Sequence, residues 1–553
     1  MGTDPPAAQQ HDYEYVIVGG GLAGCVLASR LREYTPASSR IVLIEAGQDT
    51  RGRQDVREPQ VLNLGGDLDW MYQSEPMPGL SGRSIVFNSG KGLGGGSAIN
   101  SDDYEEWATL VNDARYSYAG QLPYFKKAEH WYDTTTNPSH HGQGGPINVS
   151  NPESTNRKFP LSDHAAAAWA ELGVRELPGK DQNAGDNLGR AYVCEAREDG
   201  KRQWAADRYR LEGVEVRLET FVNRVVLSRE GGGRVKATGV ELADGTVVSG
   251  RNIICSAGAF RTPQLLQLSG IGSAEHLKDI GIDVQVDLPE VGKGLTDHMS
   301  VFQHWRLRDP SAGYTLGSAN PLFQQPQYAK GMPLDWLVCT SVPKEGLREA
   351  IKKDEGVEPD PATHPLLRKT RVFLENILLY AKVPLPGVPM DAEHITTDLV
   401  NFLPTSRGTV SLRSANPQDP PKIDLNYLST EVDKYVYRSG LRTLTRFMLD
   451  TKFSQFIAGE TVPEGSGLEP LSLEGNIDDE KLNKRLAMTG ATTWHASGTC
   501  SMGKVVDTEF RVRGVEGLRV VDASVFPVPI SAHIQAPLYA LTEQAAAIIA
   551  GKA

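Results

Sequence analysis

The sequence predicts an α/β fold in which a parallel strand–helix–strand unit opens the chain and alternating strands fill its middle. Tyr15 to Val18 is a short apolar run that enters Gly19-Gly20-Gly21-Leu22-Ala23-Gly24, after which Ala23, Leu27 and Leu31 recur at helical spacing. A second apolar run, Ile41 to Ile44, ends at Glu45, 21 residues beyond Gly24. Length is the third observation: 553 residues exceed what one core organises, so two or more structural units are expected.

A glycine turn alone can be purely structural. With a strand before it, a helix after it and a carboxylate at this distance, it becomes the signature of a Rossmann-like dinucleotide site. Gly19 makes the turn, Gly21 lets a pyrophosphate approach the backbone, and Gly24 lets helix and strand pack closely. Leu22 and Ala23 begin the helix, whose N-terminus offers free N–H groups and a positive dipole end to phosphates. Glu45, followed by Ala46, accepts from ribose hydroxyls. An acid there disfavours a 2′-phosphate, hence NADP, and FAD or NAD remain.

Composition narrows the partners. The chain carries 57 basic and 69 acidic residues, net −12, so nucleic acid and anionic membrane surfaces are poor partners. No segment approaches the apolar length of a membrane-spanning helix. The N-terminal stretch MGTDPPAAQQHDYE has neither a basic nor an apolar signal region, and a cytoplasmic enzyme is expected. Five scattered cysteines lack metal-ligand spacing and are expected to be reduced, mostly buried thiols, with no metal site.

Further along, Trp70 to Arg83 leads into Gly90-Lys91-Gly92-Leu93-Gly94-Gly95-Gly96-Ser97-Ala98-Ile99-Asn100. Glycine at this density frees the backbone to wrap a planar or anionic ligand. Leu93 and Ile99 inside the run argue for a cofactor loop over a linker. Val214 to Leu227 and Val235 to Leu242 look like strands joined through the turn Ala243 to Thr246. Asn252 to Ser256 is an apolar strand ending in a small-residue turn. Trp336 to Thr340, Val372 to Tyr380 and Thr397 to Leu403 are longer strands, and charged, proline-rich Glu345 to Thr370 suggests an exposed insertion.

These segments together resemble the glucose-methanol-choline (GMC) family of FAD oxidoreductases. The motifs are WMYQSEPMPGLSGR, GKGLGGGSAIN, the run Gly258 to Gly272, LPEVGKGLTDH, TTWHASGTCSMG and GLRVVDASVFPVPISAHIQAP, which span nearly the whole chain. The resemblance implies an FAD domain assembled from residues 12–155, 213–300 and 489–553. Residues 156–212 would connect to a substrate domain at 301–488, built on an antiparallel sheet backed by helices. It also implies FAD contacts at Trp70, at Gly94, Ser97 and Asn100 of the glycine-rich loop, and at Val222 beside the adenine. Ser256 and Ala257 would lie under the phosphates and Asp522 and Ala523 near the ribityl chain. Trp494, His533, Ile534 and Gln535 would flank the ring.

Alcohol oxidation needs a base near neutrality, which suits histidine. Alone, His495 would be a structural histidine, but TWHxxGTCxMG matches the family segment that carries the catalytic one. His533 matches its partner, 38 residues later. The expected mechanism has His495 accept the hydroxyl proton and His533 hydrogen-bond the same oxygen while hydride passes to the flavin. Dioxygen or another acceptor then takes the electrons. Pro537 fits the first turn of a C-terminal helix whose positive end would face the flavin.

The chain also departs from the family. The segment after Asn100 is short, Asn88-Ser89 replaces the usual Pro-Arg, and Ile99 stands where covalently flavinylated members can carry histidine. Non-covalent FAD is therefore expected, with a small-molecule alcohol, a specialised metabolite, as substrate and the chain a monomer or homodimer. The alternative is a non-redox lyase, dehydratase or cyclase that retains FAD.

Overall fold

The computed structural model describes residues 11–58, 64–93, 102–133, 139–229, 231, 233–384, 387–473 and 478–553. Gly94, Ser97 and Asn100, expected at the cofactor, lie outside the described residues, as does Ile99.

Two large sheets organise the described residues. In the first, Tyr13–Val18 lies between Ile41–Ile44 and Val247–Cys255, parallel to both. Val16, Ile17, Val42 and Ile253 are fully buried, because helices cover both faces of such a sheet and its strands must be apolar throughout. Leu518–Val520 adds a further parallel strand beside Val247–Cys255. Earlier along that same edge, away from Tyr13–Val18, Val247–Cys255 pairs antiparallel with Val235–Leu242, which pairs with Val222–Arg229.

Leu22–Tyr34 packs on the C-terminal helix Gln535–Ile549, so the two ends of the chain share one core. The buried carboxylate of Glu543 lies between them. It accepts from Arg30 Nε at 2.8 Å and Tyr209 Oη at 3.0 Å, and Lys127 Nζ lies 3.2 Å away. A charge so enclosed persists only because cations and a hydroxyl satisfy it.

The second sheet is antiparallel, in the order Ile457–Thr461, Met299–Leu307, His394–Asn401, Leu374–Leu379, Trp336–Thr340, Gly189–Tyr192. Helix Glu431–Leu449 covers one face with Val436, Leu441 and Leu444. Glu375 pairs with Val400 and Ile377 with Asp398, so Glu375 and Asp398 share the other face two residues apart. Gly490–Thr492 pairs with the start of Met299–Leu307 and delivers His495 to the join between the sheets.

Two expectations are corrected. Val214 to Leu227 is not one strand: Glu215–Arg217 runs parallel to Ile41–Ile44, and Val222–Arg229 belongs to the antiparallel edge. Between them Glu219, at φ 48°, bends the chain so that the Glu219 and Thr220 amides bond the Gly47 and Glu45 carbonyls. Residues 345–370 are not simply an exposed insertion either. They begin within the helix Lys344–Glu355, which buries Leu347, Ala350 and Ile351 against Glu431–Leu449. Its charged residues fill only the outer face. The five cysteines are free thiols, four of them buried. Among the described residues no helix is long and apolar enough to cross a membrane.

Candidate active site

The turn after Tyr13–Val18 is closed by backbone geometry that glycine alone tolerates. Gly19 has φ 100°, and a Cβ on it would lie 2.4 Å from the Ser256 carbonyl oxygen. A Cβ on Gly24 would lie 1.9 Å from the Gly19 carbonyl oxygen, so Gly24 serves helix–strand contact and stays off the cleft wall. Glu45 is buried and accepts the Gly20 amide at 2.6 Å and the Gly47 amide at 2.8 Å, one on each oxygen. Burial raises its pKa while those amides and Lys91 oppose the shift, and each oxygen keeps a lone pair for a ribose hydroxyl.

A single cleft of about 660 Å³ joins this turn to the histidines. Gly19, Gly21, Leu22, Ala23, Glu45 and Ala46 line one end, and Trp494, His495, His533 and Ile534 the other. Trp70, Val222, Ser256, Ala257, Asp522 and Ala523 also line it. Gln535, the first residue of the C-terminal helix, is buried and, like Gly24, is not among the residues that line the cleft. Asp522 ties the walls together, accepting the Gly258 amide at 2.9 Å, Thr262 Oγ1 at 2.5 Å and the Ser524 amide at 2.8 Å. Trp70 stacks on Tyr72, and the Arg261 guanidinium lies 4.4 Å from its ring centre.

The rings of His495 and His533 lie 4.8 Å apart at 80°. Asp297 anchors the first: it accepts the His495 amide at 2.6 Å and Thr492 Oγ1 at 2.7 Å, and also the Tyr427 hydroxyl. Burial pushes Asp297 up to about 6, against those hydrogen bonds. Trp494 between them sits at φ 62°, a conformation costly for a non-glycine residue and typical of functional sites.

His495 Nδ1 faces His298 Nδ1 at 3.0 Å and Thr493 Oγ1 at 3.1 Å. Burial, then the neighbouring His533 and His298, drives its pKa well below the ordinary histidine value. His533 has the opposite setting. Its Nε2 lies 3.0 Å from Glu375 Oε2; burial pulls its pKa down, but the charge and hydrogen bond of Glu375, with the charge of Asp398, together raise it. Asp398 stands behind, bonded to Ser300 Oγ and pushed up to about 7 by burial, with Glu375 adding to the shift.

Glu375, Asp398 and His298 were not singled out by sequence reasoning. His298 ends the LTDH segment but carries no mark of a role there, and Glu375 sits in an otherwise apolar strand, LENILL. Asp103 was likewise missed. It accepts the Ser531 amide at 2.6 Å and pairs with Arg371 at 2.6 Å, pinning the loop that carries His533.

GMC oxidoreductase family models match residues 13–300 and 404–542. The chain is a GMC oxidoreductase. Relatives of this GMC oxidoreductase span its whole length. GMC-type oxidoreductase acuG of Aspergillus aculeatus is 37% identical over 97% of this chain and 98% of its own. Mitochondrial choline dehydrogenase of Homo sapiens is 33% identical over 98% and 90%. Among solved structures, an FAD-dependent oxidoreductase from Chaetomium thermophilum superposes with TM-score 0.82 at 25% identity, over 97% of this chain and 99% of that one. A fungal aryl-alcohol oxidase at 24% identity shares the fold, with TM-score 0.79 over 98% and 99%. The cofactor is FAD, and the cleft fits it: a glycine turn that admits no side chain, a helix N-terminus beyond it, and a carboxylate with lone pairs to spare.

Proposed function

We propose that this GMC oxidoreductase converts a CH–OH group of a small-molecule alcohol to the carbonyl. His495 is the base, and His533 donates a hydrogen bond to the same oxygen. The opposite electrostatic settings of two adjacent imidazoles carry this reading. A base must be unprotonated beforehand, and burial keeps His495 so. A donor needs a proton on its free nitrogen. His533 spends Nε2 on Glu375, and its raised pKa favours a second proton on Nδ1.

FAD, when bound, supplies a two-electron acceptor for the hydride of the carbinol carbon. The O–H and C–H bonds break, a C=O bond forms, and the hydroxyl proton remains on His495 until solvent removes it. Charge developing on the oxygen is met by the His533 N–H, preorganised by Glu375. Dioxygen or another acceptor regenerates the enzyme.

FAD is proposed to be held non-covalently, since Ile99 offers no nucleophile. A specialised metabolite is the proposed substrate class. The segment that follows Asn100 in the sequence is shorter than the family's usual one, which supports a reshaped substrate entrance.

The test is an anaerobic titration of the purified holoenzyme with primary and secondary alcohols, aryl and allylic ones included. Bleaching of the flavin by one class supports the reading and names the substrate type, and acid precipitation should release the flavin. His495→Ala should lower kcat by about 10²–10⁴-fold. Substrate consumed with no bleaching at any stage would overturn the redox assignment.

A further inference from the structure

His298 stands behind His495, and the hydrogen bonds around the two rings decide which His495 nitrogen holds its proton. Thr493 Oγ1 donates its only hydrogen to the His298 carbonyl at 2.6 Å. Toward His495 Nδ1, 3.1 Å away, it can therefore only accept. Between His298 Nδ1 and His495 Nδ1, 3.0 Å apart, one nitrogen must carry the hydrogen and the other the lone pair. Because Thr493 Oγ1 needs a donor at His495 Nδ1, the hydrogen of the shared contact sits on His495, and His298 Nδ1 accepts it.

We propose that His298 is a positioning residue that sets the tautomer of His495: with Thr493 it holds the single proton on Nδ1 and leaves Nε2 as the lone pair for the cleft. His298 is 2% exposed and packs edge-on against Phe402, ring centres 5.1 Å apart, so its own ring has little freedom to turn. Burial also pushes its pKa down to about 3, which keeps it neutral and able to accept. The opposite arrangement would place a hydrogen on His495 Nε2, which would then present a donor to the alcohol oxygen and could not take its proton. The catalytic meaning of this tautomer rests on the assignment of His495 as base.

Neutron diffraction from deuterium-exchanged crystals of the holoenzyme reads the tautomer without reference to turnover. Deuterium on His495 Nδ1, with Nε2 and His298 Nδ1 bare, is expected. Deuterium on His495 Nε2 with a bare Nδ1 would overturn the proposal whatever the activity. The pair His298→Phe with Thr493→Val removes both acceptors. It should move deuterium to Nε2 and lower kcat about 10–100-fold at unchanged flavin content, and His298→Gln, which retains an acceptor oxygen, should recover most of the loss. A double variant that keeps deuterium on Nδ1 also overturns the proposal, whether or not kcat falls. If His495→Ala retains turnover, the base assignment fails on its own and the measured proton positions still decide the tautomer.

Discussion

Glu375 Oε2 lies 3.0 Å from His533 Nε2, and the two residues come from different sheets' neighbourhoods, 158 positions apart in the chain. Glu375 is 2% exposed, so its charge acts on His533 through little intervening solvent. Replacing Glu375 by Gln keeps an acceptor for Nε2–H and removes the charge. Since that charge raises the pKa of His533, its loss lets the ring deprotonate at lower pH. The alkaline limb of the kcat profile should move to lower pH. An unmoved limb would show that His533 does not act as a charged donor.

Gly19→Ala should cost the protein its flavin. The added methyl group would meet the Ser256 carbonyl at 2.4 Å, in a backbone conformation at φ 100° that alanine resists. Relief requires either the turn or the Ser256–Gly258 wall to move, and both line the cleft. The ratio of flavin to protein absorbance after gel filtration should fall severalfold. Full FAD occupancy would contradict the tight closure of this turn.

Asp103→Ala should damage turnover more than overall structure suggests. The Ser531 amide loses its acceptor, two residues from His533, and Arg371, 4% exposed, keeps Glu106, at 2.8 Å, as its one charged partner among the described residues. Stripping one partner from a buried pair costs about 3–5 kcal/mol. Chemical denaturation should register a loss of that order, and kcat should fall about tenfold or more as the His533 loop loosens. Wild-type kcat in a destabilised variant would show that the loop is held by other contacts.

Histidine 141 predicts a pH dependence of stability. Its Nδ1 lies 3.1 Å from Glu129 Oε1 and its Nε2 2.8 Å from Asp181 Oδ2, with the ring stacked 3.6 Å from Trp131. Burial opposes its charge, but the two carboxylates prevail and push its pKa up to about 9. The unfolded chain titrates near 6.5. The folded state therefore binds the proton more tightly, and this stabilisation is complete below about pH 6.5 and is lost as pH rises through about 9. The component is on the order of 3 kcal/mol. Thermal unfolding across that window should show a decline that His141→Gln lacks; an equally steep decline in the variant would assign it to other groups.

The cofactor turn and the two histidines were legible in the sequence because each is encoded in one continuous stretch. Tyr13–Val18, Gly19 to Gly24, Leu22–Tyr34 and Glu45 act through local backbone geometry, and hydrophobic period and glycine placement report that geometry directly. His495 and His533 were found through the segments around them, whose likeness to the GMC family extends to the matched models. The single strand expected over Val214 to Leu227 failed for a physical reason: its apolar residues serve two different sheet edges, and the bend at Glu219 depends on Gly47 and Glu45, far back in the chain.

Only the tertiary structure decided in which direction each histidine's pKa is displaced. His298 is 197 residues from His495, and Glu375 is 158 from His533. No periodicity distinguishes a carboxylate inside LENILL from any other strand residue. Strand pairing places Glu375 beside Asp398 on the face turned to His533, and pairing of Gly490–Thr492 with Met299–Leu307 brings His298 and Thr493 together around His495. The sequence by itself marked the glycine turn, Glu45 and the two histidines as candidates for binding the dinucleotide and moving a proton. Which imidazole has its pKa lowered and which has it raised follows from contacts of about 3 Å between residues far apart in the chain, which no local sequence pattern encodes.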